Sequence, residues 1–284
     1  MPGFLDSLCR LQVAAGLLVA LVACGPGRDL DRGRAALERN DIDAARAAFQ
    51  RVLDDRPDDP QALYGLGWTF HVSGRREEAR MAFERCLGVA PDSPLGYKGL
   101  GSSALADGDL ARAERWFAEA IARAPGDRAI RNSLALVHLK AGRTGEALDL
   151  YEALRREDAS DPALALGHAE ALVRAGRLEE ALTAMEAAID SKTAQERTRG
   201  LLHALRARVR VGLTAGRIDG SRCGATVPEV RRRLEEADRD LGIAAELGVP
   251  AEDLLPTRRL VARRHEEIRV ACPGVEAGEA TAPR

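Results

Sequence analysis

The chain lacks a surplus of charge of either sign: 42 Lys and Arg stand against 44 Asp and Glu in 284 residues, a formal charge of −2. Nucleic acids select strongly basic surfaces, so a nucleic-acid partner is not expected. Aromatic residues are scarce, at 4%. No G-x-S-x-G and no Walker loop occurs. His265-Glu266 opens like a zinc-protease H-E-x-x-H, but Arg269 takes the place of the second histidine, so no metal pair forms there. None of the five cysteines lies in a C-x-x-C pair, which removes the usual zinc and redox spacing. Gly65-x-Gly67 and Gly99-x-Gly101 are fragments of a nucleotide loop without a preceding strand, and close helix packing is the better account of Gly67 and Gly101. No catalytic constellation and no cofactor is expected. The one long apolar run, Leu11 to Ala23, has the length of a secretory core and is too short to span a bilayer.

What the chain does have is a period. Ala45, Ala79, Ala113, Ala147 and Ala181 follow one another at intervals of 34 residues. A large residue stands four places after each: Phe49, Phe83, Phe117, Tyr151 and Met185. A turn residue stands five places before each: Asn40, Gly74, Gly108, Gly142 and Gly176. Pro57, Pro91 and Pro125 close the first three units. In the clearest unit, Pro60 to Ser93, Leu63, Leu66 and Phe70 and then Ala79, Phe83, Cys86 and Leu87 recur at helical steps of three and four. Gly74 separates two helices, and Pro91 stops the second. A single helix pair cannot bury its apolar face, so such units stack and share one core.

This pattern resembles the tetratricopeptide repeat family over residues 26–195, as five units: 26–59, 60–93, 94–127, 128–161 and 162–195. The resemblance implies an all-α, right-handed α-solenoid whose first helices line a concave groove. Later units drift: Ala159 and Thr193 replace the family proline and His168 the leucine, and in the first unit Asp29 and Arg32 stand at usually apolar positions, as suits a terminal repeat. Residues 196–250 read as a degenerate sixth repeat with an inserted loop over 212–227, Pro228 opening its second helix. A capping helix follows over 251–272, and 273–284 are expected to be a disordered tail.

Leu21-Val22-Ala23-Cys24 resembles the bacterial lipobox. The resemblance implies that residues 1–23 are a lipoprotein signal peptide and that Cys24 is acylated and heads the lipidated residues 24–28. Gly25, in place of an aspartate, favours the outer membrane in such proteins. An ordinary signal peptide with a chance cysteine is the plainer alternative. Acyl chains would hold the protein on the membrane, and the short stretch before the first repeat gives it little reach. Cys9 leaves with the signal, Cys86 is a core thiol, and an exported protein meets oxidising conditions. Cys223 in the inserted loop and Cys272 at the end of the cap are therefore expected to pair.

Tyr64, Trp68 and His71 share one face of the first helix of their unit, away from Leu63, Leu66 and Phe70. Together with Lys98, Ser102, Asn132, Leu136, Leu139, Leu166 and Glu170 they are the expected peptide-binding groove, apolar with a few polar handles. The alternative is that Trp68 merely packs along a neighbouring unit. Lys98 and Asn132 alone do not reproduce the carboxylate-binding groove of chaperone adaptors. Arg231-Arg232-Arg233, Arg258-Arg259 and Arg263-Arg264 form basic stretches offset by nearby acids, a solvated face unless an acidic partner uses them. The expected protein is a lipid-anchored scaffold gripping an envelope protein segment. Its plan is similar to pilotin lipoproteins and to repeat lipoproteins that serve cell-wall hydrolases or outer-membrane assembly. The alternative is a constitutive structural subunit that uses its convex face or basic C-terminal helices.

Overall fold

The computed structural model describes residues 26–158, 161–190, 196–217 and 223–272. The signal segment, Cys24, Ala159, Thr193 and the tail lie outside them. All described regular structure is helical, and helices pack in sequence as antiparallel pairs. Two compact units divide within α7 (Arg128–Lys140).

The N-terminal unit holds α1 (Pro26–Glu38), α2 (Ile42–Asp55), α3 (Pro60–Val72), α4 (Arg76–Val89), α5 (Pro94–Ala106) and α6 (Leu110–Arg123). Each pair turns on a left-handed residue: Asn40 has φ 58°, Gly74 φ 75° and Gly108 φ 78°. The periodic alanines Ala45, Ala79 and Ala113 are fully buried where the paired helices meet. Helix starts carry their own caps. Asp59 accepts from the amides of Gln61 and Ala62 ahead of Pro60, Asp127 accepts from those of Ala129 and Ile130, and Asp41 and Asp109 cap α2 and α6. At Arg75 the same position has no accepting side chain, and the arginine instead pairs with Glu78 at 2.9 Å. Asp29 keeps its polar place by pairing with Arg32 and Arg51, each at 3.1 Å. Cys86 is buried, as a core thiol should be, and burial pushes it up to about 11.

The period is enforced by aromatic rings seated in glycine gaps. A Cβ built on Gly33 or Gly65 would stand 2.6 or 2.4 Å from the Phe49 ring. On Gly67 or Gly99 it would stand 2.6 or 2.2 Å from the Phe83 ring, and on Gly101 it would stand 2.8 Å from Phe117. Each ring of a second helix thus presses on the first helix of its own repeat and, for Phe49 and Phe83, on that of the next. This explains both glycines of each G-x-G, including Gly65 and Gly99, which helix pairing alone leaves without a reason.

The C-terminal unit holds α8 (Thr144–Glu157), α9 (Pro162–Arg174), α10 (Leu178–Ile189), α11 (Glu196–Gly212), α12 (Cys223–Glu246) and α13 (Ala251–Ala271). The Tyr151 hydroxyl repeats the ring-and-gap contact, 2.5 Å from a Cβ on Gly167. The inserted loop is shorter than expected. Instead of opening α12, Pro228 lies inside it, and the helix begins at Cys223. Val227, Val230 and Leu234 are each at most 1% exposed in one core cluster, and burying Val227 in that register extends the helix ahead of the proline. The carbonyl that the proline ring opposes belongs to Gly224, still in the first turns of the helix.

Two arginines and a histidine of α11 converge on one buried acid. Asp240 of α12, 1% exposed, lies 2.8 Å from His203 Nδ1, is gripped by Arg206 at 2.5 Å and pairs with Arg210, which also reaches Glu236 at 3.2 Å. An ionised carboxylate only accepts, so His203 Nδ1 carries the hydrogen. Burial raises the Asp240 carboxyl, but the hydrogen bonds from His203 and Arg206 and the charges of Arg206 and Arg210 outweigh it, and the group is held below its ordinary value.

Two outcomes test this packing. Gly99→Ala should lower unfolding stability in urea by about 2–3 kcal/mol, and Phe83→Leu in the same chain should recover part of the loss. Asp240→Asn should cost about 3–5 kcal/mol at neutral pH, because it takes the buried carboxylate from Arg206 and leaves Arg210 only Glu236. A depressed carboxylate contributes in full above its unfolded value, about 3.9, and ceases to contribute as pH falls through its lower folded value. The gap between wild type and variant should therefore hold at pH 5 and close only in stronger acid.

Candidate functional site

The first helices α1, α3 and α5 of the N-terminal unit lie side by side. Between them is a cavity of about 310 Å³. Leu37 of α1, Tyr64 and Trp68 of α3 and Leu95 of α5 wall it, and the Phe49 ring floors it where Gly65 has no side chain. Arg34 and Gln61 supply the polar edge and are joined to one another, Arg34 Nη2 donating to Gln61 Oε1 at 2.7 Å.

Along α3, Tyr64, Trp68 and His71 form a continuous aromatic row. Tyr64 and Trp68 stack with centroids 6.4 Å apart, and Trp68 and His71 stack at 4.9 Å. The sequence expectation separated this row from the core, and here the structure corrects it. Tyr64 also packs on Phe83 at 5.8 Å, and both Tyr64 and Trp68 border the Phe83 cluster, so they are at once wall and core. Burial, reinforced by the Asp127 carboxylate, pushes the Tyr64 hydroxyl up to about 12, so it stays a neutral hydrogen-bonding group. Burial, partly opposed by Asp107, holds His71 below its ordinary 6.5.

Lys98 and Ser102 are half-buried on α5, but neither is idle. Lys98 lies 3.7 Å from Asp127, and the Ser102 hydroxyl donates to the Lys98 carbonyl at 3.0 Å. Asn132 and Leu136 are half-buried on α7. Leu139, Leu166 and Glu170 belong to the C-terminal unit. Leu139 is 1% exposed and is a core residue, which removes it from any groove. Arg174 of α9 lies across that end of α7 and donates to the Leu139 carbonyl at 3.1 Å. Leu166 is half-buried, and Glu170 is engaged by Arg174 at 3.3 Å and Arg208 at 2.7 Å. The structure thus gathers Tyr64 and Trp68 around one cavity, with His71 stacked on Trp68. It adds Arg34, Leu37, Gln61 and Leu95, which the family spacing did not single out, and Phe49, which that spacing marked only as a repeat position. Gly65 was the available signal, since a missing side chain between Tyr64 and Leu66 opens the floor.

Among the described residues, no group of three His, Cys, Asp or Glu is placed to hold a metal, and no helix is long and apolar enough to cross a membrane. Cys272 is disulfide-bonded, and Cys86 is a free thiol. The side chain of Cys223 lies outside the described residues.

His71 provides a readout of this site. With Trp116→Phe, Trp68 becomes the sole indole, and protonating the stacked imidazole should quench its emission. The quench should set in as pH falls, with its midpoint below 6.5. His71→Gln should abolish it.

The tetratricopeptide repeat family model matches residues 30–94, 72–128, 98–162 and 132–196. No curated protein matches the sequence. Among solved structures, the chain is similar to a tetratricopeptide repeat protein from Parabacteroides merdae ATCC 43184, with 15% identity, 84% of each chain covered and a TM-score of 0.61. It is similar to PilF of Pseudomonas aeruginosa, with 14% identity, 82% of this chain and 96% of the other covered and a TM-score of 0.59. It is also similar to PilW, described as a widely conserved type IV pilus biogenesis factor, with 14% identity, 82% and 98% covered and a TM-score of 0.62. At these identities the likeness is one of fold. With family matches running from residue 30 to 196 and helix pairs at the matching period, the chain belongs to the tetratricopeptide repeat family.

Proposed function

We propose that this protein is a non-enzymatic adaptor that holds a protein segment against α3 of its N-terminal unit and is kept at a membrane by acyl chains on Cys24. The observation that carries the binding role is the cavity walled by Tyr64, Trp68, Leu37 and Leu95 over the Phe49 ring. Its size suits one or two apolar side chains of a partner. Helices that are already packed need little reorganisation to receive them, so less of the binding free energy goes into ordering the site. Arg34 and Gln61 at the edge offer hydrogen bonds to a partner backbone. A buried aromatic anchor of this kind commonly dominates the affinity of such an interface.

The envelope setting is part of the proposal. It rests on the lipobox-like Leu21-Val22-Ala23-Cys24 and on Gly25, which point to an outer-membrane lipoprotein facing the periplasm. Assembly of an envelope machine, as by a pilotin, is the role we propose within it. The fold shared with PilF and with the pilus biogenesis factor PilW is compatible with that role. Docking through the basic C-terminal helices is the weaker reading, because Arg232, Arg233, Arg263, Arg264 and Arg269 pair with Glu229, Glu236, Glu266 and Glu267.

Trp68→Ala should remove a specific partner from pull-downs out of solubilised membranes, with a loss of roughly 30-fold in affinity, the effect of one hot-spot residue. An unchanged set of partners would refute the groove. Labelled palmitate should enter wild-type protein and not Cys24→Ser; equal labelling of both would refute the anchor.

A further inference from the structure

Cys272, at the end of α13, is 5% exposed and disulfide-bonded. We propose that its partner is Cys223, the first residue of α12, and that the bond is a thiol-sensitive catch holding the last turns of α13 onto the core of the C-terminal unit. Of the five cysteines, Cys86 is a free thiol, and Cys9 and Cys24 fall in the segments read as leader and lipid attachment. Cys223 opens a helix that packs against α13. Val227, one turn further along α12, shares a core cluster with Ile268 and Cys272.

The composition of α13 shows why a covalent tie matters there. Its first half buries Leu254, Thr257 and Val261. Over residues 262–272, only Ile268 and Cys272 are buried. The same stretch carries Arg263, Arg264, Glu266, Glu267 and Arg269, and Val270 is 71% exposed. One aliphatic side chain gives such a segment little hold, so without the tie its opening is local and costs less than global unfolding. The cluster it helps close contains Val227, Val230 and Leu234, each at most 1% exposed. The catch therefore decides whether an apolar surface at this end of the unit is sealed or open.

A dithiol reductant would operate it. One thiolate of the reductant attacks a sulfur of the disulfide and expels the other cysteine as thiolate. The second thiol of the reductant then displaces the mixed disulfide, leaving the reductant oxidised and two electrons and two protons on Cys223 and Cys272. Exchange with an oxidised dithiol carrier resets the bond by the reverse route.

The test uses the full chain. Without reductant, intact mass should be lower by two hydrogens than after reduction, and a peptide map should recover residues 223 and 272 in one cross-linked species. Reducing the folded protein should speed amide exchange over 262–272 roughly tenfold or more while leaving α3 unchanged. Cys223→Ser and Cys272→Ser should each reproduce that exchange, with no further response to reductant. Alkylation of Cys223 in unreduced protein, or a cross-link from Cys272 to another cysteine, would overturn the pairing. Unchanged exchange after complete reduction of wild type would overturn the catch.

Discussion

The structure depends on a steric fit repeated over the first four repeats: Phe49, Phe83, Phe117 and Tyr151, each on a second helix, enter gaps where a first helix has glycine. Phe49 fills the space over Gly33 and Gly65, and Phe83 fills the space over Gly67 and Gly99. A methyl group at any of these glycines would enter the ring's own volume, and close-packed interiors cannot absorb such an overlap without moving backbone. The interval of 34 residues is the distance in sequence after which ring and gap meet again. The buried alanines set how closely the two helices of a pair approach, and the rings set how one pair seats on the next.

The cavity follows from the same fit. Gly65 yields its space to Phe49, so that buried ring forms the floor between α1, α3 and α5, with Tyr64, Trp68, Leu37 and Leu95 around it. Core and wall are therefore not separable here. Tyr64 stacks toward Trp68 on one side and packs on Phe83 on the other, so any change at the wall is also felt in the repeat interface.

In the C-terminal unit, charge carries part of what the rings do elsewhere. Asp240 draws His203, Arg206 and Arg210 of α11 onto α12, and each partner offsets the cost of burying the carboxylate. Past residue 196, where the family matches end, an arginine-rich helix packs through Leu202, Leu205, Val209 and Val211 and is tied as well to one buried acid. A disulfide at Cys272 adds a covalent constraint where α13 runs out of apolar residues.

The sequence by itself determined whatever is local and periodic: the helix pairs, the left-handed turn residues Asn40, Gly74 and Gly108, the buried Ala79 and Phe83, and the free core thiol of Cys86. These depend on backbone sterics and on spacing along one helix, which a one-dimensional pattern displays. Only the tertiary structure decided which residues meet across repeats. It placed Arg34, Leu37 and Leu95 around Trp68, withdrew Leu139 into the core, carried α12 past Pro228 and gathered three basic residues on Asp240. Those outcomes turn on contacts between residues distant in sequence, where the energy of closing a packed surface overrides local preference and no periodicity records which neighbour will win.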